Sequence, residues 1–285
     1  MVYQVDADGT LHRLTVYAPV GSGGPWPTAV MIHGAGLTLD NWARAVAGRV
    51  IVVFVPYWPD DESFFSSGQR MFTEASTIRA RMACAVRFAR ATSAGFGGDP
   101  SYLSLFGFSA GANYAAQLAP GDAEAGLGCV TTTGSARPDN AVLFDGDWML
   151  VGNLVWNDLL AQEPRIMDIL TPWAGLPDDE KLPVHILNSG DPGMTTTNIG
   201  WGSEDEWLPL RDPTGKLHLR QGLERRDAFA DGDVSEREIQ LVLYDRMRHF
   251  GFDVTFGELN TCHCSAALDD DAALQMVVDA MLADR

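Results

Sequence analysis

A chain of 285 residues with 46% apolar content suits one substantial core and is short for two catalytic domains. Its 20 Lys and Arg against 38 Asp and Glu leave a formal charge of −18, which argues against nucleic acid and anionic membrane surfaces as partners. No apolar run approaches the ~20 residues that cross a bilayer. Residues 1–8 lack the basic and apolar regions of a signal peptide, so a cytoplasmic location is expected.

Residues 2–6 and 11–18 read as an opening hairpin turned at Asp8-Gly9. The apolar strand Thr28-Ala-Val-Met-Ile-His33 runs into Gly34-Ala-Gly36, and Val50-Ile-Val-Val-Phe-Val55 is apolar throughout, as a central parallel strand is. Helical spacing over about 72–94 aligns Ile78, Met82 and Val86. Glycines at 95, 97 and 98 end that helix before a strand over 102–107, and the helix-like Ala112-Asn-Tyr-Ala-Ala-Gln-Leu118 comes soon after. Residues 127–133 are expected as the next strand. The Trp- and Met-rich stretch at about 136–180 is expected as a helical cap inserted into a single domain spanning 1–285. Pro183-Val-His-Ile-Leu187 resumes the sheet, and a polar excursion covers about 190–236. Ile239-Gln-Leu-Val-Leu-Tyr244 is expected as the last strand and 266–283 as a closing amphipathic helix. The alternation predicts an α/β fold with a mostly parallel sheet covered on both faces. The closing helix or an edge strand offers a surface for a homodimer.

Four cysteines accompany this pattern. Cys84 in the helix and Cys129 in the expected strand read as buried free thiols, in keeping with a reducing compartment. Cys262 and Cys264 flank His263, a triplet that suggests metal ligation, yet no second ligand pair stands at finger-like spacing. No metal site is therefore expected.

Between the strand at 102–107 and the following helix lies Gly107-Phe-Ser-Ala-Gly111. In that context the pattern is a nucleophile elbow, which lifts the Ser109 hydroxyl above the sheet edge at a helix N-terminus. A serine nucleophile needs a base, an acid to orient the base, and donors for the oxyanion. His249, in Arg248-His-Phe-Gly-Phe252 after the expected last strand, is the leading base, with His263 its main rival. Asp191, just past strand 183–187, is the leading acid, with Asp145, Asp147 and Glu204–Glu206 as substitutes. That choice gives the chain order Ser…Asp…His. The small residues of His33-Gly-Ala-Gly36 let main-chain amides approach an oxyanion, and the Ala110 N–H completes the pair. His33 itself reads as a structural hydrogen-bonding residue.

These segments, with Phe96-Gly-Gly-Asp-Pro100 and Ser189-Gly-Asp-Pro192, resemble the α/β-hydrolase superfamily over nearly the whole chain. Within it the carboxylesterase and hormone-sensitive-lipase-like branch is the most similar. The resemblance implies about eight mostly parallel strands, a Ser-Asp/Glu-His triad and no cofactor. It also implies an oxyanion hole from the amides of Ala35, Gly36 and Ala110. The expected reaction is hydrolysis of small to medium apolar or aryl esters through an acyl-enzyme. Amidase, lactonase or acyltransferase chemistry on the same scaffold is the alternative, and a non-catalytic ligand-binding homologue is an alternative of another class. Two departures stand out: His-Gly-Ala-Gly replaces the usual His-Gly-Gly-Gly, and Val55-Pro-Tyr-Trp-Pro-Asp60 replaces the branch's Tyr-Arg-Leu-Ala-Pro-Glu.

Overall fold

The structure, a computed structural model, describes residues 1–21, 23–34, 39–49, 51–56, 75–118, 128–146, 176–191, 236–264 and 266–285. Its strands are β1 (Val2–Val5), β2 (Leu11–Tyr17), β3 (Trp26–Ile32), β4 (Val52–Pro56), β5 (Gly98–Phe108), β6 (Asn140–Phe144), β7 (Val184–Asn188) and β8 (Val254–Glu258). The helices are α1 (Asp40–Gly48), α2 (Ala75–Thr92), α3 (Ala110–Leu118), α4 (Glu236–His249) and α5 (Asp271–Leu282).

The eight strands form one sheet in the order β1-β2-β4-β3-β5-β6-β7-β8. β2 pairs antiparallel with β1 and β4, and the pairs from β4 through to β8 are parallel. The fold is that of an α/β-hydrolase. Its central strands are largely apolar and largely buried because both of their faces are covered. Successive residues feed opposite cores: Val30, Ile32, Leu103, Leu105 and Leu143 pack with α2 and α3, while Ala29, Met31, Phe106, Phe108 and Phe144 pack with α1 and α5. Trp42 of α1 joins the second core, 4.7 Å edge-on to Phe108 and 5.8 Å above Phe144 between ring centres. Asp270 caps α5, its carboxylate accepting from the Ala272 and Ala273 amides at 2.9 Å, and the helix buries Leu274, Val277, Val278 and Met281 at helical spacing.

Four expectations change. Residues 128–133 hold a single bridge, Gln4 to Cys129, at the sheet edge and no strand; the strand beside β5 is β6. The cap expected from about 136 therefore begins on a central strand, and most of its span lies outside the described residues, as does nearly all of the excursion at 190–236. Residues 239–244 are helix, because Gln240, Leu243 and Met247 bury a helical stripe, and the last strand is β8. Cys84 and Cys129 are bonded to each other, tying α2 to the segment beside β1, so the free-thiol argument for a reducing compartment falls away. Among the described residues, no helix is long and apolar enough to cross a membrane.

Candidate active site

A parallel sheet directs the carboxyl ends of its strands to one edge, and the loops leaving that edge carry the polar groups. Ser109 follows β5 directly, Asp145 follows β6, Ser189 and Asp191 follow β7, and His263 lies beyond β8. Four loops that are remote in sequence therefore meet.

Ser109 sits at φ 54°, in the left-handed region that a non-glycine residue seldom occupies. Its surroundings hold it there. The Ser109 N–H donates to the Phe144 carbonyl at 2.9 Å, and the Ala112 N–H donates to the Ser109 carbonyl at 2.9 Å. The flanking glycines admit the close approach this requires. A Cβ on Gly107 would lie 2.4 Å from the Gly111 carbonyl oxygen, and one on Gly111 would lie 2.4 Å from that of Ile32. Ala110 opens α3, where the first amides have no carbonyl one turn back and the helix dipole favours negative charge.

The imidazole of His263 stands between two partners. Its Nε2 is 3.2 Å from Ser109 Oγ and its Nδ1 is 3.0 Å from Asp145 Oδ2. A carboxylate only accepts, so Nδ1 carries the proton it donates to Asp145, and Nε2 is free to accept from the Ser109 hydroxyl. The ring lies against Phe108, 4.8 Å between centres. Asp145 is fully buried, where a lone carboxylate would cost several kcal/mol. Its Oδ1 accepts from the Ser189 N–H at 2.6 Å, Gln240 Nε2 at 3.3 Å and Asn188 Nδ2 at 3.4 Å. Those contacts keep the buried charge satisfied and leave Oδ2 to the imidazole.

Of the expected triad residues, Ser109 and Asp191 reach the site in different capacities, and His249 is the last residue of α4. The ring beside Ser109 is that of His263, the named rival. Asp191 Oδ2 accepts from the backbone N–H of His263 at 3.1 Å, so it holds the histidine's main chain, while Asp145 holds the ring. A signal for both existed in the sequence. Asp145 directly follows the apolar run Ala141-Val-Leu-Phe144, and His263 follows Val254-Thr-Phe-Gly-Glu258, a strand-like run that competes with 239–244 as the last strand. Ala35, Gly36, Asp147 and Glu204–Glu206 lie outside the described residues. His33 Nδ1 is 2.8 Å from the Gly34 carbonyl, in keeping with a structural role. Gly34 itself lies against the elbow: a Cβ there would come within 2.7 Å of Ser109 Cβ. Cys262 and Cys264 are bonded to each other around His263, which occupies both sulfurs of the suggested metal triplet.

No protein-family profile matches the chain. It is 35% identical to the cocaine esterase of Oryctolagus cuniculus over 106 residues, which is 34% of this chain and 20% of the rabbit protein. Over 165 residues it is 31% identical to the cocaine esterase of Homo sapiens, covering 54% of this chain and 29% of the human protein. The similarity thus spans about a fifth to under a third of these relatives' length. A thermophilic esterase of Thermogutta terrifontis, solved with propionate bound, superposes at a TM-score of 0.57 with 17% identity, covering 100% of this chain and 91% of that one. The α/β-hydrolase fold is common to both structures, and the sequence similarities support a carboxylesterase-like kinship.

Proposed function

We propose that the protein is a serine carboxylic-ester hydrolase with Ser109 as nucleophile, His263 as base and Asp145 as the group that orients the base. The observation that carries this reading is the single imidazole hydrogen-bonded to Ser109 Oγ through one nitrogen and to a buried carboxylate through the other.

As Ser109 Oγ bonds to the ester carbonyl carbon, His263 Nε2 takes its proton and the carbonyl electron pair moves to oxygen. The Ala110 amide at the start of α3, with the Ala35 and Gly36 amides that the family resemblance implies, holds that oxyanion, and each such donor is worth about 3–4 kcal/mol in comparable sites. The imidazolium then gives its proton to the departing alkoxide, and the C–O bond to the alcohol breaks. Water, deprotonated by the same imidazole, attacks the acyl-enzyme and restores Ser109. Asp145 stays ionised throughout and stabilises the imidazolium. Short-chain aliphatic or aryl esters are the substrate class we infer, a choice that the propionate held by the Thermogutta terrifontis esterase supports.

Hydrolysis of p-nitrophenyl esters from C2 to C12, run beside Ser109→Ala, tests this directly. Turnover by the wild type alone supports the reading and sizes the acyl pocket. Equal turnover by both proteins, or failure of a fluorophosphonate to label Ser109 in folded wild type, overturns it.

A further inference from the structure

Two disulfides of opposite character occur in the described residues. Cys84–Cys129 has a sequence separation of 45 residues and a fully buried end at Cys84, so it restrains a long stretch of the unfolded chain. Cys262–Cys264 has a sequence separation of 2, and both of its cysteines are half-exposed. A loop that short removes little entropy from the unfolded chain, so the bond has little leverage on global stability. Its leverage falls on the one residue it brackets, His263.

The rest of the His263 loop is laced to the loop after β7. The Leu259 N–H donates to the Asn188 carbonyl at 2.8 Å and the Thr261 N–H to the Ser189 carbonyl at 2.6 Å. The His263 N–H donates to Asp191 Oδ2 at 3.1 Å, and beyond it the Ala267 N–H donates to the Cys264 carbonyl at 3.1 Å. These contacts anchor the loop on both sides of the histidine. The covalent closure from Cys262 to Cys264 then limits the backbone rotations of His263 itself, and with them the direction in which its ring leaves the main chain.

We propose that the Cys262–Cys264 disulfide is a positioning device for the base His263 and a thiol-sensitive control on the activity. This rests on the reading of His263 as base given above. A dithiol reduces the bond by thiolate exchange through a mixed disulfide: the sulfur–sulfur bond breaks, Cys262 and Cys264 each gain a proton as thiols, and the dithiol leaves as its own cyclic disulfide. Two electrons pass from the dithiol to the protein. The freed loop keeps its anchors but samples more His263 orientations, so fewer molecules hold Nε2 against Ser109 Oγ. Misplacement on that scale lowers kcat by about ten- to a hundredfold while leaving substrate binding nearly unchanged.

The test assays p-nitrophenyl butyrate hydrolysis by wild type before and after dithiothreitol, with thiols at 262 and 264 counted by mass spectrometry. Beside it run the Cys262→Ser/Cys264→Ser double variant and His263→Ala. The expected result is a matching fall in kcat for reduced wild type and for the double variant, with KM within about twofold and the circular-dichroism spectrum unchanged. Reoxidation should restore the wild type, and the double variant should ignore dithiothreitol. Full kcat in the reduced wild type with both thiols titrated overturns the proposal, and this arm stands even where the double variant fails to fold. A double variant that still responds to dithiothreitol overturns it too, since Cys84–Cys129 would then be the sensitive bond. Full activity in His263→Ala removes the underlying assignment of the base, whereas an inactive His263→Ala beside a fully active double variant removes only the positioning role.

Discussion

Of the aspartate–histidine pairs among the described residues, two part-buried ones stand at different edges of the same sheet, and of these two only one faces a serine hydroxyl. At the amino-terminal hairpin His12 Nε2 lies 2.8 Å from Asp6 Oδ2, which also accepts from Arg81 Nη2 at 2.9 Å. His12 Nδ1 is buried without a hydrogen-bond partner among the described residues. At the carboxyl edge the Asp145–His263 pair has nearly the same separation, 3.0 Å, but the second imidazole nitrogen meets Ser109 Oγ. The Arg81 guanidinium also holds the hairpin pair and links it to α2. Among the described residues the carboxylate of the other pair meets, besides the imidazole, only neutral N–H donors and no Lys or Arg. The two pairs thus differ in what the far imidazole nitrogen meets: no hydrogen-bond partner among the described residues at the hairpin, a serine hydroxyl at the carboxyl edge.

Substitutions separate the two pairs, beginning with the largest effect. Ser109→Ala and His263→Ala should each lower kcat/KM for p-nitrophenyl butyrate by about 10⁵–10⁶-fold, and combining them should cost little more, because the two groups act as a unit. Asp145→Asn, assayed the same way, should lower kcat by about 10³–10⁴-fold, since the imidazole then loses its orientation and tautomer. Asp191→Ala should lower kcat only about tenfold, because it frees one backbone N–H and leaves the ring's partners in place. A loss from Asp191→Ala as large as that from Asp145→Asn would reverse their assigned roles. His249→Ala should change kcat/KM less than about twofold.

The hairpin pair should respond in stability alone. Asp6→Asn should leave kcat unchanged and reduce unfolding free energy by about 1 kcal/mol, read from urea denaturation. Burial by itself would raise the Asp6 pKa, but the His12 hydrogen bond and the Arg81 and His12 charges outweigh it and hold the carboxyl below its usual range. A carboxylate whose folded pKa is lowered stabilises above its unfolded value and loses that contribution as pH falls through the folded value. The gap between wild type and Asp6→Asn should therefore be full at pH 6 and narrow below about pH 4. A gap that persists unchanged at pH 2.5 would show that the Asp6 charge contributes nothing. Activity should respond separately: kcat/KM should fall on acidification as the imidazole base gains its proton, in Asp6→Asn as in wild type.

How much of this was legible follows from how far apart the interacting residues are in the chain. The hairpin at Asp8-Gly9, the elbow at 107–111 and the closing helix are local, and their residues declare them: Gly9 at φ 88°, two glycines around a serine, a capping Asp270 before an apolar stripe. The strand at 140–144 and the helix at 236–249 were misassigned because a short apolar run has no period of its own to separate strand from helix. Both bear on the candidate residues: reading 239–244 as the last strand makes His249 the next histidine, and reading 140–144 as cap passes over Asp145 for Asp191.

By itself the sequence determined the α/β class, the parallel sheet and Ser109 at its elbow, because each depends on neighbours within a turn or a strand. Only the tertiary structure decided which histidine and which aspartate join that serine. His263 lies 154 residues from Ser109 and 118 from Asp145. Contacts of that separation are set by which segments become adjacent parallel strands, and the hydrogen bonds between β6, β7 and β8 bring those loop ends to one edge.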